Sequence, residues 1–302
     1  MGNCCPSQPE EMSDTQIVWR RVSRGIHFIG LGAFLLLCTQ GVLPWSFWRE
    51  ALPYWPVLLV GLGLRMIFER TRAPALILLS PLVVLGTLAY VSRHPAQPAP
   101  PDWTRVGTAR PEKAKRWTLA GSLGMAELDL QARHLPKNRL VEGRVTAGDR
   151  HRLDLGGSRE EPRVRLGTEE PEWSLLTLAA PGHDQRWDLA LSQELPLDVN
   201  LGLAFAGGQI DLASAPVADV EIEGAFNDLT LRLGAPRTDT RLAFHGAFNQ
   251  IKVIVPGTTP VRVNSDGFLN WVDGRPEPAK GTGPVYRVEF EGAFNRLAVR
   301  SP

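Results

Sequence analysis

Only three cysteines occur in the 302 residues, Cys4, Cys5 and Cys38, so nothing beyond position 38 can be stapled by a disulfide. The rest of the chain must hold its shape by packing. Cys4 and Cys5 are too few for a zinc site within one chain, and "MGNCCPS" places its hydroxyl at Ser7, one residue late for an N-terminal acylation signal. A net charge of +1 supplies no global field for an anionic partner. No basic tract with interleaved aromatics appears, so nucleic acid is not an expected partner. The six histidines, His27, His94, His134, His151, His183 and His245, show no metal-ligand spacing. No nucleophile elbow, P-loop or dinucleotide fingerprint is present, so neither catalysis nor a cofactor is expected. From about residue 103 a sustained 3.6-residue period is missing too, which argues against helices there.

Long apolar runs are confined to the first third. Residues 26–45, "IHFIGLGAFLLLCTQGVLPW", have the length a helix needs to cross about 30 Å of hydrocarbon. No small-residue cleavage site follows, which argues against a signal peptide. Two more runs lie at 51–68, with Arg65 near its end, and at 73–91, with Pro81 inside it. Arg20, Arg21, Arg24, Arg65, Arg70 and Arg72 gather at one side of these spans, and only Arg49 at the other. The positive-inside rule then puts the N-terminus in the cytoplasm of a multi-pass inner-membrane protein and everything after about residue 92 outside. Trp45, Trp48, Tyr54, Trp55 and Tyr90 fall at the outer face as an aromatic belt. The expected organisation is a polar cytoplasmic tail (1–25), three transmembrane helices (26–92), a proline-rich linker (93–114) and a β-repeat extracytoplasmic domain (115–302). The lipid bilayer is the first expected partner.

The β-repeat announces itself in "EGAFNDLTLRL", "HGAFNQIKVIV" and "EGAFNRLAVR". Their asparagines are Asn227, Asn249 and Asn295, and "DGFLNWV" adds Asn270. Gly224, Gly246, Gly267 and Gly292 stand three residues earlier; Phe226, Phe248, Leu269 and Phe294 stand one earlier. Weaker copies put Gly208 and Gly124 at the anchor position. The last five anchors are then spaced by 19, 22, 21 and 25 residues, a solenoid period. Apolar residues alternate in step with Phe226 upstream (Val220, Ile222) but at odd distance downstream (Leu229, Leu231, Leu233). A strand cannot change parity without a bend, so GAFN predicts a corner. Gly and Asn would supply positive φ there and Phe would plug the inside. The fold class expected is an N-terminal α-helical membrane region plus an all-β domain. That domain is a β-solenoid of coils of about 20–25 residues, with an antiparallel β-sandwich as the alternative. Stacked asparagines would form a ladder. Residues 131–195 keep the register poorly, and the terminal "RLAVRSP" would blunt one edge of a stack whose ends invite self-association.

Just before the corner glycines stand Glu223, His245, Asp266 and Glu291. Stacked coils would align them into an acidic strip able to hold a divalent cation, against the plainer reading of a solvated polar face. "GLGAF" and "GLGLR" lie in apolar spans, where glycine permits close helix packing.

"WPVLLVGLGLRMIFER" resembles the membrane region of LiaF-like bacterial envelope proteins, in which a Trp-Pro pair opens a short apolar helix rich in Leu and Gly. "WDLALSQELPLDVNLGLAFAGGQIDLASAPVADVEIEGAFNDLTLRL" resembles the toast-rack or head-GIN class of β-repeat domains, with GAFN standing where those domains carry Gly-Ala-Gly-Asp. The resemblance implies a non-catalytic envelope protein associated with sensing cell-wall damage and restraining a membrane histidine kinase. Three apparent spans and the N-terminal cysteine pair depart from that pattern. A structural or adhesive ectodomain is the competing expectation. A polysaccharide-cleaving β-helix, with paired carboxylates on the solenoid, is a remote one.

Overall fold

The computed structural model describes scattered helical positions between Val18 and Leu37, then residues 54–68, 76, 78–93, 102–146, 151–168, 185–257, 259–274 and 283–301, in two compact units. The cysteines, much of the first expected span, the aromatics Trp45 and Trp48, and the proline-rich spacer at 94–101 lie outside the described residues.

The first unit contains α1 (Pro56–Phe68) and α2 (Leu79–Arg93). At 13 and 15 residues and roughly 1.5 Å per residue, each covers about 20 Å. Among the described residues no helix is long and apolar enough to cross a membrane. Two glycines let the helices close: a Cβ on Gly61 would lie 3.1 Å from Val84, and one on Gly30 would lie 3.2 Å from Leu85. Gly32 and Gly63, their motif neighbours, face open space. Pro81 was expected inside a span, but α2 begins at Leu79. It therefore sits in the first helical turn, where its missing N–H breaks no bond. Leu59, Val60, Leu62, Met66 and Ile67 of α1, with Leu82 and Tyr90 of α2, are exposed. An apolar surface that dense marks a protein or lipid contact.

The second unit is built of β1 (Trp103–Ala109), β2 (Trp117–Gly124), β3 (Ala126–Arg133), β4 (Arg139–Thr146), β5 (His151–Gly157), β6 (Pro162–Thr168), β7 (Gln185–Ser192), β8 (Leu197–Ala204), β9 (Gly207–Leu212), β10 (Val217–Ala225), β11 (Asp228–Leu233), β12 (Thr240–Ala247), β13 (Gln250–Ile254), β14 (Val261–Phe268), β15 (Trp271–Asp273), β16 (Tyr286–Ala293) and β17 (Arg296–Arg300). They form a nine-stranded sheet, β1-β4-β7-β3-β9-β11-β13-β17-β15, and an eight-stranded sheet, β14-β16-β12-β10-β8-β2-β6-β5. β1 thus falls within the segment expected as linker and pairs antiparallel with β4.

Each coil contributes one strand to each sheet, and neighbouring coils pair in parallel. Hairpins between GAFN arms are therefore ruled out, and the stack is solenoid-like. Period-two alternation places Val199, Val220, Leu242 and Val288 in one buried row and Leu229, Ile251 and Leu297 in the facing one. Apolar burial along such rows is what holds a stack without disulfides. The poorly repeating middle has two parts. β6 and β7 add a further parallel coil on β2 and β3, whereas β4 and β5 pair antiparallel at that end.

The coils are not stacked in chain order. β16 and β17, last in sequence, insert between the β12–β13 coil and the β14–β15 coil. The terminal arginines therefore do not blunt an edge; β14 and β15 are the edge strands there.

Candidate functional site

The corners come first, because they position every outward side chain near them. The parity change occurs as expected and the glycines take positive φ, but the roles of Phe and Asn are exchanged. Besides the glycines, Phe226, Phe248, Leu269 and Phe294 take positive φ, between 51° and 60°, while their asparagines are not among the positive-φ residues. That left-handed step turns Phe outward and brings Asn227 and Asn295 inside to 1 % exposure. Phe205, Phe226, Phe248 and Phe294 stack face to face on the outer side of the corners, with centroids 4.8, 4.9 and 5.0 Å apart. Stacking of such rings offsets the strain of a left-handed non-glycine residue.

Inside, each asparagine clamps two coils. The Oδ1 atoms of Asn227, Asn249, Asn295 and Asn270 accept the N–H groups of Ala206, Asn227, Asn249 and Asn295 at 3.0, 3.1, 2.9 and 3.2 Å. Their Nδ2 groups donate to the carbonyls of Leu203, Gly224, Gly246 and Gly292 at 3.0, 2.9, 2.9 and 3.2 Å. The bonds follow spatial order, so Asn295 lies between Asn249 and Asn270. The glycines are required by close approach. Gly224, Gly246, Gly267 and Gly292 have φ from +113° to +135°, and a Cβ would come within 1.7–1.9 Å of a neighbouring carbonyl oxygen.

In the weaker copies the anchor is displaced by two residues, toward the N-terminus from Gly208 and toward the C-terminus from Gly124. Ala206 and Ala126, rather than Gly208 and Gly124, occupy the asparagine position, with Phe205 and Met125 at positive φ. The irregular 19-residue interval becomes 21, from Ala206 to Asn227.

The corner fixes the strip on the outer face of the eight-stranded sheet. Glu223 pairs in register with His245, His245 with Glu291, and Glu291 with Asp266. His245 Nδ1 lies 3.4 Å from Glu291 Oε2. Neighbouring carboxylates have cationic or amide partners: Arg241 donates to Glu289 at 2.7 Å, Asn200 to Glu221 at 2.9 Å, Arg287 to Asp239 at 2.6 Å, and Arg116 to Asp198. Among the described residues no group of His, Cys, Asp and Glu is arranged to hold a metal ion.

Electrostatics match this picture of local pairing. A backbone N–H from Val285, then Arg287, holds Asp239 below the usual carboxylate range. The hydrogen bonds to Asp198 and Glu289 raise Arg116 and Arg241. Asp219 is pushed up, chiefly by burial. Tyr286 is raised to about 12 by burial, and its hydroxyl donates to Gly234 C=O at 3.0 Å.

A feature that sequence reasoning missed lies on the other sheet. Gly207 and Gly208 floor an open depression of about 510 Å³, walled by Glu127, Asp129, Gln209 and Asp228. The strand register places Gly207 between Glu127 and Asp228. A dipeptide without side chains between two acid-bearing strands was the signal. The depression is polar and shallow, suited to a cationic or polyhydroxylated ligand and poor at excluding water for catalysis.

Comparison with known proteins covers both units. No curated protein matches the chain. A crystal structure of a candidate cell adhesion protein from Clostridium sporogenes ATCC 15579 superposes with a TM-score of 0.56 at 12% identity, over 67% of this chain and 100% of that one. At that identity the likeness is one of fold. Residues 25–67 match the model of the LiaI-LiaF-like transmembrane region, so the protein joins a LiaI-LiaF-like membrane segment to a parallel β-coil domain similar in fold to that adhesion protein.

Proposed function

We propose that the protein is a non-catalytic, membrane-anchored envelope accessory that takes part in cell-envelope stress signalling. Its membrane segment contacts a sensor kinase or another membrane protein, and its β-coil domain lies outside the cytoplasm. The observation that carries this reading is the LiaI-LiaF-like match over residues 25–67. The exposed apolar side chains of α1 and α2 support it, because they suit lipid or helix contact. The outer faces of the β domain favour a binding role over catalysis: carboxylates such as Asp198, Asp239 and Glu289 are held by arginines, and the described depression is open.

The test replaces residues 25–93 with an unrelated membrane anchor. Loss of the envelope-stress response while the β domain still reaches the membrane is the expected result. An undiminished response would refute the reading. A reporter fused at about residue 102 should be active only on the extracytoplasmic side, and a cytoplasmic signal would overturn the localisation.

The fold likeness to a candidate adhesion protein favours a second reading, an adhesive ectodomain. In that case the chimera with the foreign anchor keeps its function, so one experiment separates the two.

A further inference from the structure

One end of the coil stack differs from the rest of the β domain. Its described large apolar side chains are buried or half-buried except at four exposed positions, and three of these, Phe268, Leu269 and Trp271, belong to the β14–β15 coil. Leu155 of β5 is the fourth. Among the described residues nothing pairs with the outer edge of β14 or β15. An open, apolar strand edge is a template for another chain.

The edge of β14 has a definite chemistry. Tyr286 N–H donates to Pro260 C=O at 3.1 Å and Phe294 N–H to Phe268 C=O at 2.9 Å. Even-numbered residues of β14 therefore turn their backbone groups toward β16, and Val261, Val263 and Ser265 turn theirs to the open edge. Outward-facing side chains on the strand are Arg262, Asn264 and Asp266, all exposed. The sequence is thus basic, neutral, acidic about a central asparagine, which is complementary to itself when reversed.

We infer that the β14 edge is a homodimer interface, in which two copies of this chain join their coil stacks end to end by antiparallel pairing of β14 about Asn264. In that register Val263 and Ser265 of one copy exchange backbone hydrogen bonds with Ser265 and Val263 of the other. Arg262 faces Asp266 twice, in the closely spaced pairs that carry no backbone bonds. Phe268 comes opposite Pro260. Shifting the register by two residues either way loses both charge pairs. β1 lies at the far edge of the other sheet, so the join leaves the linker-bearing end of each copy free.

The experiment uses the full chain in detergent and in lipid nanodiscs. Arg262→Asp and Asp266→Arg each place like charges opposite each other twice, and each should weaken the dimer about 10–100-fold. Mixing the two variants restores both charge pairs, so the mixture should associate as the wild type does. This readout is insensitive to general loss of stability. Separately, Asn264→Cys in a Cys4→Ser, Cys5→Ser, Cys38→Ser background should form a symmetric disulfide, because Cα atoms of such a pair lie about 4.5 Å apart, within disulfide reach. Leu155→Cys in the same background, at the opposite end of its sheet, should not. A monomeric wild type, a mixture that stays monomeric, or cross-linking through Leu155→Cys instead of Asn264→Cys would each overturn the inference.

Discussion

Asn249→Ala tests whether the asparagine ladder holds the coils together. Asn249 is 6 % exposed; its Oδ1 accepts the N–H of Asn227 at 3.1 Å and its Nδ2 donates to Gly224 C=O at 2.9 Å. Removing the amide leaves two enclosed backbone groups without these bonds, each costing about 1–3 kcal/mol. The expected loss is about 4 kcal/mol. For a domain of this size each kcal/mol lowers Tm by about 2–4 °C, so the melt should fall by roughly 8–16 °C. Asn270→Ala is the internal control. It releases the Asn295 N–H and the Gly292 C=O, each bonded at 3.2 Å, but in the end coil water can replace the amide. Its expected cost is about 1 kcal/mol. Thermal melts of the full chain in detergent, followed through the far-UV β-sheet signal, make the comparison. Equal losses for the two variants would refute the reasoning, because cost must depend on position in the ladder.

Gly246→Ala should be more damaging than Asn270→Ala, since its Cβ would meet Gly224 O at 1.8 Å with φ at +135°, whereas Gly156→Ala meets nothing within 4 Å and should melt as wild type. Phe248→Ala removes two stacked neighbours and should cost about 1–3 kcal/mol, against about half that for Phe205→Ala, which lies at the end of the described stack. Asp219 has a raised folded-state pKa, so the folded protein binds its proton more tightly and stability falls as pH rises through the carboxylate range. Asp219→Asn should therefore melt higher than wild type at neutral pH. The difference should vanish in acid, where both states of the wild type are protonated, and a gap constant with pH would count against burial as the cause. Tyr286 should give no phenolate absorbance below its raised pKa of about 12 until the domain unfolds, which a spectrophotometric alkaline titration monitors.

The corner's existence was legible because parity is a property of chain count. Ile222 and Leu229, both buried, are seven residues apart, an odd number that requires a bend wherever it is placed. Which residue takes the left-handed step was not legible, since propensity favours Gly or Asn over Phe at positive φ. Tertiary context decides otherwise: a row of rings stacked outside and a row of amides bonded inside outweigh the local preference. The anchor error at Gly208 has the same origin, because Ala206 looks unlike asparagine until the hydrogen bond from its N–H to Asn227 Oδ1 identifies it. The strip at Glu223, His245, Glu291 and Asp266 was legible as a set but not as an order. A signal for that order existed. Asn227, Asn249 and Asn295 carry identical GAFN words and are neighbours in space, while the divergent "DGFLN" is the coil at the end.

This order carries a consequence for how the end of the stack forms. Each strand of the β14–β15 coil pairs only with β16 or β17 among the described strands, so residues 261–273 have no seat until residues 286–300 are in place. Truncation after Gly274 removes one coil by sequence but should unseat two in space. In the truncated chain β12 and β13 become the open edge, and amides of Val261–Phe268 should exchange hydrogen at rates near those of unfolded chain, while those of β10 and β11 keep most of their protection. An alternative outcome, in which the freed β14 and β15 drop into the vacated places on β12 and β13, would keep 261–268 protected. Two features oppose it. Phe294, which stacks on Phe248 at 5.0 Å, would be replaced by Leu269. Phe290, packed edge-on against Phe244 at 6.4 Å, would be replaced by the hydroxyl-bearing Ser265. Protection of 261–268 in the truncated chain would mean that chain order, not the match of corner and core side chains, governs where each coil stacks.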